Sequence, residues 1–161
     1  EITEANHDAP VTPHFRLRHF PAKQGGGFPK YVVLRPRLLE KLEHVIDALN
    51  DRGHRIRSLF VMSGYRTPYY NGRLGNVRYS RHQWGGAADV YVDERPRDGT
   101  MDDLNEDGRV NLRDARYLFQ LVDSLEESPE PVPVGGLGLD GSNAYHGPFV
   151  HMDVRGQPAR W

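Results

Sequence analysis

The chain has 161 residues, a formal net charge of −1 and no cysteine. A chain of this length is the size of one ordinary domain and buries enough apolar surface to fold without cross-links. The near-neutral charge and the lack of any Lys/Arg run argue against a nucleic-acid or anionic-membrane partner, and the lack of cysteine excludes disulfides, thiolate metal ligands and a cysteine nucleophile.

No apolar run approaches the roughly 20 residues that span a bilayer. The first residues, Glu-Ile-Thr-Glu, are not typical of a signal peptide. Seventeen glycines and twelve prolines beside 37% hydrophobic residues favour a loop-rich α+β domain over a helical bundle. We expect a single domain over residues 1–161, and a monomer.

The N-terminal part of the chain predicts an arm, a helix and a strand. Residues 1–30 contain four prolines and a run of three glycines, which indicates an extended arm docked by Phe15, Leu17 and Phe20. After Pro36, apolar residues recur at helical spacing as far as residues 51–53. Residues 58–63 are short, apolar and bounded by turn residues, which is typical of a buried strand.

Two further strands are predicted to share a pattern. Over residues 87–92, Asp89 lies on one face and valines lie on the other; over residues 149–154, His151 and Asp153 lie opposite an apolar face. A helix over residues 115–125 separates them and ends before three prolines. The pattern predicts a small antiparallel sheet with flanking helices, apolar on one face and carrying a site on the other.

Three side chains from separate segments are candidate metal ligands: His82, Asp89 and His151. Glycine and alanine fill positions 85–88, so the backbone between the first two ligands can turn tightly. Three histidine or carboxylate ligands with one open position for water are typical of catalytic zinc, which lowers the pKa of that water to about 7 and polarises a carbonyl. Taken singly, the three are equally a loop histidine, a strand-end aspartate and a sheet histidine. Together with the strand faces they indicate a metal site.

The sequence around these residues resembles a known family. The blocks Ser63-Gly-Tyr-Arg66, Ser80-x-His82-x-x-Gly-x-Ala-x-Asp89 and Phe149-Val-His151-x-Asp153 are similar to the signatures of the zinc D-Ala-D-Ala peptidases and murein endopeptidases. The wider group includes lysostaphin-type enzymes and the hedgehog signalling domain. The resemblance covers most of the chain and is greatest, at its two ends, to a bacterial murein-endopeptidase-like subgroup.

The resemblance implies a hedgehog-like fold and a zinc peptidase acting on the short peptides of peptidoglycan, in the periplasm or outside the cell. It implies one zinc ion on His82, Asp89 and His151, and a substrate-binding or carbonyl-polarising role for Arg66. A guanidinium at a strand end can fork onto a carboxylate or stabilise an oxyanion. The alternative for Arg66 is a salt bridge that tethers its loop.

One position departs from the family pattern. Many members carry an acidic general base three residues before the last ligand, and that position here is Pro148. Asp153, on the strand face of His151, and His146, in a Gly-flanked loop, are the candidates to move protons. Asp153 is equally a group that orients an imidazole, and His146 equally a plain loop histidine.

Residues 103–114 have the spacing of an EF-hand loop, with oxygen side chains at positions 1, 3, 5 and 12, glycine at position 6 and a backbone carbonyl at position 7. Aspartate at position 12 resembles dockerin loops. Residues 93–100 are not typical of an entering helix, so the pattern predicts a lone, structural calcium site. The alternative is an acidic turn that caps the following helix. The predicted ligands are Asp103, Asn105, Asp107, Arg109 through its carbonyl, and Asp114.

These observations predict a zinc- and calcium-binding peptidase of peptidoglycan stem or cross-link peptides, of the D,D-carboxypeptidase or murein endopeptidase type. The missing acid at Pro148 leaves a second reading open. In that reading the chain is a non-catalytic module, stabilised by zinc and calcium, that binds cell wall or protein.

Overall fold

The computed structural model describes residues 1–161 and confirms the α+β class. The domain contains three α-helices and five strands, and two short 3₁₀ helices cover Leu17–His19 and Arg81–Trp84. The helices are α1 (Pro36–Asp51), α2 (Pro68–Arg73) and α3 (Leu112–Glu126), and the strands are β1 (Phe60–Ser63), β2 (Ala87–Tyr91), β3 (Gly136–Asp140), β4 (Phe149–Asp153) and β5 (Ala159–Arg160).

The strands form one sheet in the order β1-β2-β4-β3-β5. Neighbouring strands are antiparallel except β3 and β5, which run parallel. The strands predicted over residues 58–63, 87–92 and 149–154 are therefore confirmed, each slightly shorter than predicted. Strands β3 and β5 and helix α2 were not predicted.

Local sequence features explain where both long helices begin and where α1 ends. Pro36 occupies the first turn of α1, where its missing N–H costs nothing, and the chain turns away at Gly53 with a φ of +92°. Helix α3 begins with a capping box, in which the Asn111 side chain accepts the Arg113 N–H and the Asp114 carboxylate accepts the Asn111 N–H.

The core lies between these helices and one face of the sheet. Alternate residues of the central strands, Val90, Val150 and Met152, are fully buried there. Leu42 and Leu118 face them from α1 and α3, and each such side chain contributes about 1.5–3 kcal/mol by its burial. Because side chains alternate along a strand, Asp89 and His151 lie on the opposite face.

A buried ion pair crosses the core. The Lys41 ammonium of α1 donates to the Glu126 carboxylate of α3 and also, at 3.0 Å, to the carbonyl oxygen of Asp153. Both side chains are almost fully excluded from solvent, and burial lowers the pKa of Lys41. Arg160 of β5 donates to the second Glu126 oxygen at 2.7 Å. The pair therefore ties both helices to the strand that carries His151.

The N-terminal arm docks on the domain through buried Phe15 and Phe20, while Leu17 is half-buried. The backbone of Phe20 lies so close to Gly64 that a side chain there would clash, and its carbonyl accepts the Tyr65 N–H at 2.7 Å. The arm thus holds the loop that follows β1. Among the helices, none is long and apolar enough to cross a membrane.

Candidate metal centre

Three elements bring the predicted metal ligands together. His82 lies in the 3₁₀ helix Arg81–Trp84, Asp89 in the middle of β2, and His151 in the middle of β4. Asp89 and His151 are direct partners in the antiparallel register, so their side chains leave the same face side by side. The 3₁₀ helix ends at Gly85, whose φ of +64° and contact with the backbone of Val33 leave no room for a side chain.

The ligand atoms converge on one point. The His151 Nδ1 lies 2.8 Å from the Asp89 Oδ1, and the His82 Nε2 lies 3.2 Å from both of those atoms. These three residues form the one group of histidine, cysteine and acidic side chains with metal-ligand geometry in the chain. His82 and Asp89 are buried, and His151 is partly open to a cavity of about 460 Å³.

The hydrogen bonds of the two imidazole rings leave His82 Nε2 and His151 Nδ1 facing the centre of the cluster. The His82 Nδ1 donates to the Gly64 carbonyl at 2.7 Å, so in the neutral ring Nε2 carries the lone pair. On His151, the Asp153 carboxylate lies 3.4 Å from Nε2, which leaves Nδ1 to face the cluster. Two imidazole nitrogens and a carboxylate oxygen lie within 3.2 Å of one another, and this donor set fits zinc.

The electrostatics of the cluster also favour positive charge. Burial alone would raise the pKa of Asp89, but the two histidines lower it well below its usual range. Burial alone would lower the pKa of His151, but its hydrogen bonds with Asp153 and Asp89 raise it to about 9. A site in which the Asp89 carboxylate stabilises a proton on His151 Nδ1 also favours a cation at the same point.

Arg66 lies beside this centre. One guanidinium nitrogen donates to the Asp89 Oδ2, the oxygen that faces away from the histidines, and Nε donates to the Ser63 hydroxyl at 2.8 Å. The salt bridge considered for Arg66 is therefore present, with a metal-ligand candidate as its partner. Arg66 also lines the cavity, where its remaining nitrogen, Nη1, has no protein acceptor within hydrogen-bond distance.

The Asp153 carboxylate lies on the same strand face as His151, but its lone pairs are occupied. It accepts the Gly136 N–H at 2.8 Å, the Arg155 N–H at 3.0 Å and the Arg155 guanidinium at 2.5–3.0 Å. Burial would raise its pKa, but the bonds from His151 and Arg155 lower it well below the usual range. Asp153 is fully buried and does not line the cavity. This geometry suits a group that orients His151 better than one that receives a proton.

His146 lies in the loop before β4 and contacts Phe149, with ring centroids 5.0 Å apart. Its Nδ1 donates to the Gly147 carbonyl at 2.8 Å, and its Nε2 accepts from the Asn143 amide at 2.7 Å. The ring is not among the residues that line the cavity. Both nitrogens are engaged within the loop, so a role at the centre would require this loop to rearrange.

Asp140 lines the cavity but was not predicted as a site residue. Asp140 ends β3 opposite Phe149, two residues beyond Gly138, which pairs with His151. It therefore lies on the face of the metal centre, half-buried, with no hydrogen-bond donor to its carboxylate; burial and the Asp89 charge raise its pKa. The alternation of glycine and leucine over residues 136–139 was the signal for this strand.

Trp161 also lines the cavity and was not predicted as a site residue. Its indole lies 5.2 Å from the His151 ring and occupies the space above Gly138, where any side chain would clash with it. Trp161 follows β5, whose parallel pairing with β3 places it there. A C-terminal tryptophan carries no local sign of this position, because the pairing joins distant segments.

The acidic loop 103–114 is held by its own backbone. Asp103 accepts the N–H groups of Asp107 and Gly108, at 3.2 and 2.7 Å, and Gly108 has a φ of +80°, as the sharp turn requires. Asp114, fully buried, accepts the N–H groups of Leu104, Asn105 and Asn111. The loop acids do not form a group with metal-ligand geometry. The alternative of a turn that caps α3 describes the observed contacts of Asp114.

The fold and this site define an α+β domain with a two-histidine, one-aspartate candidate metal centre in a cavity on a mainly antiparallel sheet. The family model described as Peptidase M15 matches residues 13–109, more than half of the chain, and the chain belongs to the peptidase M15 family. Membership implies a zinc metallopeptidase acting on peptidoglycan-like substrates. A comparison with curated proteins finds no match. The matched residues include His82 and Asp89, whereas the third candidate ligand, His151, lies beyond them.

Proposed function

We propose that the protein is a zinc-dependent peptidase that hydrolyses peptide bonds in peptidoglycan stem or cross-link peptides, as a D,D-carboxypeptidase or a murein endopeptidase. The observation that carries the proposal is the convergence of His82 Nε2, Asp89 Oδ1 and His151 Nδ1 at the floor of an open cavity. These residues would hold one zinc ion, which supplies Lewis acidity and a lowered pKa for the attacking water.

The cavity supports binding of a peptide with a free carboxylate. Arg66, Arg81 and Arg155 line it, against the two acids Asp89 and Asp140. We propose that Arg66 holds the substrate through Nη1, because its other contacts already fix the guanidinium against Asp89 and Ser63. A guanidinium fixed in this way can donate to a carboxylate or to a developing oxyanion without reorganising.

For proton transfer we propose Asp140, in place of the acid that Pro148 lacks. The Asp140 carboxylate lines the cavity and accepts no hydrogen bond from the protein. Both carboxylate oxygens of Asp153 already accept hydrogen bonds, and the His146 ring is hydrogen-bonded within its own loop. Strand β3 thus supplies an acid that pairs with Phe149 of β4, the residue after Pro148. Asp153 is proposed to position the His151 ring.

Digestion of purified sacculi, with products read by mass spectrometry, tests the activity and names the bond. We expect about one zinc per chain, cleavage of stem or cross-link peptides, and loss of both zinc and cleavage in His82→Ala. Full activity in His82→Ala would refute the zinc peptidase. Tight binding to sacculi with no new product, from zinc-loaded protein, would instead identify the non-catalytic binding module.

We propose that the loop 103–114 binds one calcium ion in a structural role. The spacing of its oxygen side chains supports this, as does the positive φ of Gly108 at the turn. The test is a melting curve of protein freed of metals and reloaded with zinc alone. Calcium is expected to raise the melting temperature of this sample but not that of an Asp103→Ala, Asp107→Ala variant. An unchanged curve for the wild type leaves only the helix-capping role.

We propose that the protein acts in the periplasm or outside the cell, as a monomer. The substrate lies there, and millimolar calcium outside the cytoplasm suits a weak calcium site. Sedimentation equilibrium of the zinc-loaded protein tests the monomer, and fractionation of cells that produce the natural protein tests the location.

A further inference from the structure

A second cavity, of about 850 Å³, lies between the N-terminal arm and strand β1, and none of its lining residues belongs to the metal centre. Its floor includes Phe60, whose ring stacks on Tyr91 at a centroid distance of 4.7 Å. The lining is strongly cationic, although the whole chain has a net charge of −1. Six Lys and Arg residues line it against one acid, Asp93: Arg16, Arg18, Lys23, Lys30, Arg57 and Arg97.

Three of these cations are paired within the protein. Arg18 contacts the Asp8 carboxylate, and Arg57 and Arg97 share the single carboxylate of Glu94, at 3.0 and 2.8 Å. The one acid of the lining, Asp93, accepts backbone N–H groups at 2.9 and 3.1 Å and makes no salt bridge. The internal acids therefore neutralise only part of the positive charge.

The other three cations have no carboxylate partner. The Arg16 guanidinium donates to the Asp8 backbone carbonyl, Lys23 lies 5.7 Å from the centre of the Phe60 ring, and the Lys30 ammonium has no acceptor. Arg16 also lies near His19 at the cavity wall, where burial and the neighbouring Arg18, Arg16 and Arg97 lower the imidazole pKa. Clustered cations without counter-charges repel one another, and an anionic ligand relieves that repulsion.

We propose that this cavity is a binding site for a linear oligoanion, a chain of closely spaced phosphodiester or carboxylate groups. Its volume is in the range of ligand sites and far exceeds that of one ion. Guanidinium and ammonium groups match both oxyanions. Phe60 and Tyr91 share a sheet face with Ser63 and Asp89, so an extended ligand bound there lies on the side of the metal centre. The proposal does not depend on peptidase activity.

The test compares two variants of equal charge change. Arg16→Gln, Lys23→Gln, Lys30→Gln removes the unpaired cations of the cavity, whereas Arg37→Gln, Arg73→Gln, Arg116→Gln removes three exposed cations elsewhere. Calorimetric titrations of zinc-loaded protein at low salt use two probes, a short glycerol phosphodiester oligomer and a short oligoglutamate. Melting curves establish that each variant is folded, and the single variants replace the triple one if it is not.

Binding of either probe, weakened at least about tenfold in the cavity variant and less than about twofold in the control variant, supports the site, since each charge-assisted hydrogen bond is worth about a factor of ten. The probe bound more tightly identifies phosphate or carboxylate as the natural group. Backbone amide shifts on titration are expected at residues 16–30. The proposal is overturned if neither probe binds, if both variants weaken equally, or if an oligonucleotide of equal charge binds far more tightly, since bases would then carry the recognition.

Discussion

Replacing Asp153 by Asn separates two roles that a carboxylate beside a metal ligand can have. The substitution keeps the shape of the side chain, but the Asn amide has one oxygen that accepts hydrogen bonds where the carboxylate has two. One oxygen now receives the Gly136 and Arg155 N–H groups, while the other, which faces Arg155 and His151, is lost. The His151 ring therefore loses the group that orients Nδ1 towards the metal centre.

The magnitude follows from that contact. Loss of a hydrogen-bonding partner of a metal-bound histidine typically weakens metal binding about 10–100-fold, or about 1.4–2.7 kcal/mol. If Asp153 were the general base, turnover would instead fall about 10²–10⁴-fold while zinc affinity stayed the same. The contact of 3.4 Å between His151 Nε2 and Asp153 is long, which places the expected loss of affinity towards the lower end.

The assay has two parts. Competition with a fluorescent chelator measures zinc affinity, and muropeptide cleavage is then measured with zinc in saturating excess. We expect weaker zinc binding and, at saturating zinc, turnover within about tenfold of the wild type. Arg155→Gln is the matched control, since it keeps the carboxylate and removes its main partner; it should affect zinc affinity less. Unchanged affinity with turnover lost more than about a hundredfold would refute the positioning role.

Three further predictions concern separate parts of the molecule. Asp140→Asn should keep its zinc, measured by atomic absorption, but lose about a hundredfold or more in muropeptide turnover, because the unpaired acid of the cavity is gone; near-normal turnover would exclude Asp140 from proton transfer. Lys41→Met should lower the free energy of unfolding in urea by about 2 kcal/mol, because Glu126 and the Asp153 carbonyl lose the buried ammonium while Arg160 still pairs with one Glu126 oxygen. Adding Glu126→Gln should recover part of that loss, and a loss below about 0.5 kcal/mol would contradict the ion pair. Burial would raise the pKa of Glu43, but hydrogen bonds, chiefly from His14, lower it below 4.5. Its contribution is therefore complete above about pH 4.5 and is lost as the pH falls through the lowered pKa, so the difference in urea stability between wild type and Glu43→Gln should be greatest near pH 6 and should shrink as the pH is lowered below 4.5; a constant difference would contradict this.

Much of the framework could be predicted because its signals are local. Helical spacing of apolar residues predicts α1 and α3, and alternation predicts β2 and β4, since each pattern reports which face of one element is buried. The same alternation assigns Asp89 and His151 to the free face of their strands. Together with His82, these are the residues that the tertiary structure brings within 3.2 Å of one another.

The rest depends on which strands are neighbours and in what register, and the physical cause lies in contacts between distant segments. The pairing of β3 with β4 brings the unpaired acid Asp140 to the cavity, and the turn after β4 folds Arg155 back onto Asp153, which occupies its lone pairs. The sequence by itself determined the three metal-ligand candidates. Only the tertiary structure decided which acids around them are free to take a proton, because that depends on every donor that reaches each carboxylate.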